Sequence, residues 1–554
     1  MLVARHDIDM PKLLRSSRPI RELETEAADL LKNRGDAGHT LDDARDELAQ
    51  SYGFHSWRQL EVFVEHPGQE GRDFLFLACL NYWPTDRESM RSRARSMLAA
   101  DPSLADKDIY HAAAVGNVTA VVRFLDADPA LANARGGFFD WEALLYACYS
   151  RLNLPDYSTF ECAKLLLQRG ADANAYFMWG GQYRFTALTG AFGEGEMGPS
   201  NQPEHERCVD LARMLLESGA DPNDGQALYN RMFEPGHFWI EMLLDFGLGK
   251  SSKVNWLEED RDRLVPSDES ILDYQLRWAV EHDHIDRARL LIGAGADVSA
   301  KNKFGDSYYT IALKAGQKDF AAELASLGSE RQELPEIEEF IALCMGGDLQ
   351  GARDMLEKSP NLVKQAEEDF ADAVGHAAGQ GRLKALTTFQ ALGFDLGKKQ
   401  GQSPMHRAVL GGQLEVLRWL VEQGGDTSLR DDMHGTTPLV WSYALGREEC
   451  REYLSGLELD LFDSIMCENT NRIESLVNTD PALLETPLKN VRGSQYNYDD
   501  DWMTPIAFAA TRGKVDSTRC LLALSANPQV ANSRGVSLKD LLRDLDLKET
   551  LDLL

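Results

Sequence analysis

The chain has 554 residues, 43% of them apolar and 27% charged, close to ordinary globular values, so wholesale disorder is excluded. Its 89 acidic residues against 58 basic ones leave a formal charge of −31, which repels phosphate backbones and anionic lipid; neither nucleic acid nor membrane is an expected partner. The length is too great for one compact core, leaving several domains or a stacked array whose units pack on their neighbours. The eight cysteines are scattered without a C-x-x-C pair, as suits buried apolar thiols in a reducing compartment. The opening MLVARHDIDMPKLLRSSRP is too polar for a signal-peptide core, and no stretch approaches the roughly 18 apolar residues of a membrane span, so a cytoplasmic location is expected.

In chain order, residues 19–66 read as three short helices. Thr40 is a candidate N-cap, with Asp43 three residues on in a weaker capping box. From residue 74 the pattern repeats. Helix openings recur as IYHAAAVGNVTAVVRFL from Ile109, VGHAAGQGRLKALTTFQ from Val374, SPMHRAVLGGQLEVLRWLVEQGGD from Ser403 and TPIAFAATRGKVDSTRCLL from Thr504. Pro fits the first helical turn, where its missing N–H removes no bond. One ending recurs as LLLQRGADAN, MLLESGADPN, LLIGAGADVS and WLVEQGGDTS, where Gly suits the left-handed turn that stops a helix. A second ending, DPSLAD, DPALAN, SPNLVK and DPALLE, uses Pro to force the chain out of the helix.

These openings and endings resemble the ankyrin-repeat family over roughly residues 74 to 545, in about a dozen degenerate units. The resemblance implies an all-α solenoid: a β-turn finger, a short inner helix, a turn and a longer outer helix per unit, with fingers and inner helices forming a concave binding face. It also implies structural roles for His111, His376 and His406, which occupy the motif's histidine position. SYGFHSWRQL resembles a YGF-x-SW helical segment that precedes ankyrin repeats in many bacterial proteins. The expected division is an N-terminal helical cap over 1–70, repeats over 71–250, an insert or linker over 251–270, read as a helical insert, repeats over 271–536, and a C-terminal capping helix over 537–554.

Three early units depart from the pattern. Where VGN or LGG would join two helices, the chain has NYWPTDRESM after Leu80, YSRLNLPDYSTF after Cys148 and GEGEMGPSNQPEHER after Phe192. The fingers of the same region carry Phe138, Phe139, Trp141, Tyr176, Phe177, Trp179, Tyr183 and Phe185, where polar tips are the rule. Such rings either pack beneath the extended turns or line a pocket for an apolar or flat ligand. A pocket would take Phe139, Trp141, Tyr176, Trp179, Tyr183, Arg184 and Gln202 as ligand-binding residues, with Glu194, Glu196 and His205 as acid–base groups were it an active site. A second aromatic finger, VRGSQYNYDDDWMTP, adds Tyr498 and Trp502 beside three aspartates. No Walker loop, G-x-S-x-G elbow, kinase signature or H-E-x-x-H is present, and the H-x-H of His282 and His284 is weak; no cofactor or metal is expected. The first functional expectation is protein–protein interaction through the concave face. The alternative is a small-molecule or enzymatic site over residues 135–235.

Overall fold

The structure, a computed structural model, describes residues 14, 19–34, 39–64, 73–83, 86–233, 236–250, 257–260, 263–266, 270–302, 304–397, 401–432, 435–490, 502–532, 535–545 and 547–554. The chain divides into two compact units: residues 1–276 with 293–296, and residues 277–292 with 297–554. Helices dominate both. No described helix is long and apolar enough to cross a membrane.

Unit 1 begins with α1 (Ile20–Arg34), α2 (Leu41–Ser51) and α3 (Trp57–Val64), which share a small core of Leu23, Ala27, Leu48, Phe54, Trp57 and Leu60. Thr40 and Asp43 form the reciprocal capping box read from sequence: Oγ1 accepts from the Asp43 N–H at 3.2 Å, and Oδ2 from the Thr40 N–H at 2.8 Å. Helix pairs follow: α4 (Phe74–Ala78) with α5 (Glu88–Ala100), α6 (Ile109–Val115) with α7 (Val118–Ala127), and α8 (Ala143–Tyr149) with α9 (Thr159–Gln168). After α10 (Ala187–Phe192) and the short α11 (Gly198–Asn201) come α12 (Cys208–Glu217), α13 (Gly225–Arg231) and α14 (Phe238–Asp245). Between α6 and α7 the turn is tight: Gly116 at φ 90° stops one helix and the Asn117 side chain caps the next.

The fingers are short antiparallel ladders. β1 (Arg135–Gly136) pairs with β2 (Trp141–Glu142), and β3 (Tyr176–Trp179) with β4 (Tyr183–Thr186) in the register Phe177↔Phe185 and Trp179↔Tyr183. Within the stretch expected as an insert, β5 (Leu257–Asp260) pairs antiparallel with β6 (Arg263–Pro266), so residues 257–260 and 263–266 are extended and not helical.

Unit 2 holds regular pairs, among them α22 (Ala373–Gly379) with α23 (Leu383–Leu392), α24 (Pro404–Leu410) with α25 (Leu414–Glu422), and α26 (Pro438–Ala444) with α27 (Glu448–Ser455). Ser403 caps α24 ahead of Pro404, and Ala377, Ala378 and Ala408 are fully buried where thin helices meet. His406 carries out the expected inter-repeat bond: its Nδ1 meets Ser403 Oγ at 2.7 Å, and its Nε2 meets Thr436 O at 2.8 Å. The expected single C-terminal helix is instead two, α32 (Leu538–Asp544) and α33 (Lys548–Leu551). Breaking there lets Leu538 and Leu542 bury against Ala507 and Ala510 while Leu547 and Leu551 cover the same core.

Candidate functional site

The three extended turns of unit 1 zip together. Leu80 N–H donates to Tyr149 O and Arg151 N–H to Ala78 O, both at 2.9 Å, which locks the first extension to the second. Arg151, 1% exposed, then fastens the second to the third. Its Nε donates to Pro203 O at 2.7 Å, its Nη2 to Gly190 O at 2.6 Å, and its Nη1 to Cys148 O and Ser150 O at 2.8 and 2.9 Å. A buried guanidinium can stay charged when its N–H groups are spent on carbonyls. Burial pushes the Asp86 carboxyl up to about 7, while its Oδ2 accepts the Asn81 and Tyr82 N–H groups and shapes the first extension.

The third extension therefore folds inward. Gln202, 2% exposed, holds it closed: its carbonyl accepts from Glu194 N–H at 2.7 Å and its Oε1 from Met197 N–H at 3.3 Å. Each acid–base candidate has a partner inside the fold. Glu194 is buried and pairs with Arg231 at 2.5 Å, and Glu196 accepts a hydrogen bond from Tyr229. His205 Nδ1 accepts from Arg207 N–H at 3.0 Å, which places the proton on Nε2, 2.8 Å from Thr159 Oγ1. Burial, then the charges of Arg151 and Arg207, push this imidazole down to about 3.

The aromatic fingers meet a different surface. Phe139, Trp141, Phe177 and Phe185 stack in one column, with successive centroids 4.2, 4.3 and 5.4 Å apart. The N-terminal segment docks on these fingers. Ser56 Oγ donates to Asp140 at 2.7 Å, Gln59 Nε2 to Asp140 O at 3.0 Å, and Arg58 Nε to Phe138 O at 3.2 Å. Gly53, at φ 82°, lies so close to the β3–β4 turn that a Cβ would sit 2.2 Å from Gly181 O. Tyr176 sits between the His55 ring at 4.6 Å and the Arg184 guanidinium at 4.1 Å, and Tyr183 lies 6.3 Å from Trp179.

Between the segment and the fingers lies a cleft of about 40 Å³. Of the residues singled out in the sequence, Phe139, Trp141 and Trp179 line it; Tyr176, Tyr183, Arg184, Gln202, Glu194, Glu196 and His205 do not. The sequence reading missed its opposite wall: Phe54, Gln59, Val62 and Phe63 from the N-terminal segment, and Asn81 and Trp83 from the first extension. The one available signal was a Trp in a helix–helix turn. Trp502 belongs to unit 2, where it packs on the core of Ala507 and Leu538, and Tyr498 lies outside the described residues.

Residues 374–463 match the ankyrin-repeat family in three copies. That stretch of the chain carries ankyrin repeats. The potassium channel AKT1 of Arabidopsis thaliana is 37% identical to this chain over 87 residues, 15% of the chain and 10% of the channel. The chain thus spans about a tenth of that relative. Among solved structures, a chain of a predatory endopeptidase–immunity protein complex from Bdellovibrio bacteriovorus aligns over 32% of this chain and 95% of its own. The identity there is 18% and the TM-score 0.23.

Proposed function

We propose that this protein binds a protein partner through the concave side of its repeats, in the cytoplasm. The three ankyrin copies over residues 374–463 carry this reading, because such repeats serve generally as protein-interaction modules. On this reading both units are stacks of ankyrin-type helix pairs, the N-terminal helices and the final pair shield repeat surfaces, and the eight free cysteines suit a reducing compartment. Phe304 supports the choice of the finger side: it stands 79% exposed at a finger tip in unit 2, where a large apolar ring has its use as an anchor. The test is affinity capture with the full chain, followed by Phe304→Asp. Tenfold or greater loss of partner binding at unchanged melting temperature is expected. Equal binding by Phe304→Asp would move the interface elsewhere, and turnover of a small metabolite with no protein partner would overturn the reading.

A further inference from the structure

Helices α1, α2 and α3 are fastened to the aromatic fingers by side chains. Ser56, Arg58 and Gln59 supply the bonds described above, the Arg58 guanidinium lies 5.0 Å from the Phe138 ring, and Phe63 stands edge-on to Trp179 at 5.5 Å. The three helices also keep a core of their own around Leu23, Leu48 and Leu60. Polar groups are poorly satisfied where the two surfaces meet. His55 Nε2, Trp179 Nε1 and Arg184 Nε are all buried without a hydrogen-bond partner. Each has given up its bonds to water with nothing in return, which weakens the docked arrangement against the released one.

His55, in the turn before α3, packs edge-on against Tyr176 with ring centroids 4.6 Å apart. The charges that face it are Arg135 on β1, Asp140 in the turn between β1 and β2, and Arg184 on β4. Asp140 already accepts from Ser56, and Arg135 lies 3.8 Å from Glu142. A proton on the imidazole puts a third positive charge beside two guanidiniums, where Nε2 finds no acceptor. Burial first, then Arg135 and Arg184, hold the ring down at about 4, with Asp140 pulling the other way. Freed into water, it returns to its usual 6.5. Between those values the released state carries the extra proton. Docking is therefore firm above 6.5 and weakens as pH falls toward 4, by at most about tenfold per pH unit for one proton.

We propose that α1, α2 and α3 form an acid-released cover over the aromatic fingers, with His55 as its trigger. Acidification charges His55, the three helices leave as a body, and Phe138, Tyr176 and Trp179 come into reach of solvent while the repeats beneath stay folded. Release is read on the chain alone, so this assignment stands or falls apart from any protein partner.

The experiment is hydrogen exchange on the full chain from about pH 7.5 to about pH 4, expressed as protection over the intrinsic rate at each pH. Protection at residues 138–142 and 176–186 is expected to fall below pH 6.5, with a slope approaching about tenfold per unit, while residues 109–127 keep theirs. His55→Phe keeps a ring against Tyr176 and takes no proton, so its finger protection should stay level over the same range. Should that variant lift the cover at neutral pH by itself, the wild-type ring decides: its NMR signals must titrate well below 6.5 while the fingers are still protected. Four results would overturn the assignment. They are level finger protection in the wild type, an equal fall in His55→Phe, a fall shared by residues 109–127, or a His55 ring that titrates at 6.5 with the fingers protected.

Discussion

The junction between two helices is built in opposite ways in the regular turns of unit 2 and the three extended turns of unit 1. In unit 2, α24 ends at Leu410 and α25 starts at Leu414, with Gly412 at φ 67° making the reversal. In unit 1, α8 ends at Tyr149 and α9 starts at Thr159, and the third extension runs from Phe192 to Cys208. A short turn is stabilised by one residue's backbone freedom. A long one that folds inward must find partners for every buried N–H and C=O, and unit 1 finds them through Arg151, Asp86 and Gln202. Stability thus passes from glycine conformation to a polar network, where single substitutions cut deeper.

Arg151→Ala is the hardest blow to that contrast. It strips four carbonyl bonds from the buried extensions and should destabilise the protein by about 3–5 kcal/mol in denaturant titrations. Hydrogen exchange should rise across unit 1 and not in residues 373–455; a loss under about 1 kcal/mol would show that the extensions hold without it. Gly53→Ala comes next. The added methyl meets the Gly181 carbonyl with no side chain to yield, on top of the positive φ, for about 2–3 kcal/mol. Exchange should increase at residues 138–142 and 176–186 as the segment lifts, and unchanged protection there would refute the docking.

Asp86 supplies a pH signature. Its folded value of about 7 lies above the unfolded 3.8, so the native state holds an extra proton between them, and stability is lost as pH rises through that window. Against Asp86→Asn, the wild type should fall by at most about 1.4 kcal/mol per pH unit from pH 4 to 7 and run parallel above. Parallel curves throughout would mean that the carboxyl titrates normally. Gly412→Ala, in the regular region, should lose only about 1 kcal/mol, since its Cβ meets nothing nearer than 3.8 Å. A loss as large as that of Gly53→Ala would erase the distinction between the two kinds of turn.

What could be read in the sequence follows the range of the interactions. The cap at Thr40, Pro404 at the start of α24 and the His406 bond depend on residues a few places apart or one repeat apart, and all were legible. The docking of α3 on the fingers was not, because Ser56 and Asp140 lie 84 residues apart and neither belongs to a periodic pattern. The aromatic fingers announced themselves by composition, though not what covers them. The inward fold of the third extension hangs on Arg151, a single arginine with no motif around it. The two-helix C-terminus escaped because SLKDLLRDLDLKETLDLL keeps an apolar face through the break.

The segment that meets the fingers also imposes an order in time. A ribosome adding about 5–20 residues per second needs about ten seconds to pass from Ser56 to Asp140, and longer to complete the second finger. During that interval α1, α2 and α3 have only their own small core of Leu23, Leu48 and Leu60 to shelter in. These three helices, made before the fingers they dock on, are therefore among the last elements of unit 1 to reach their native contacts.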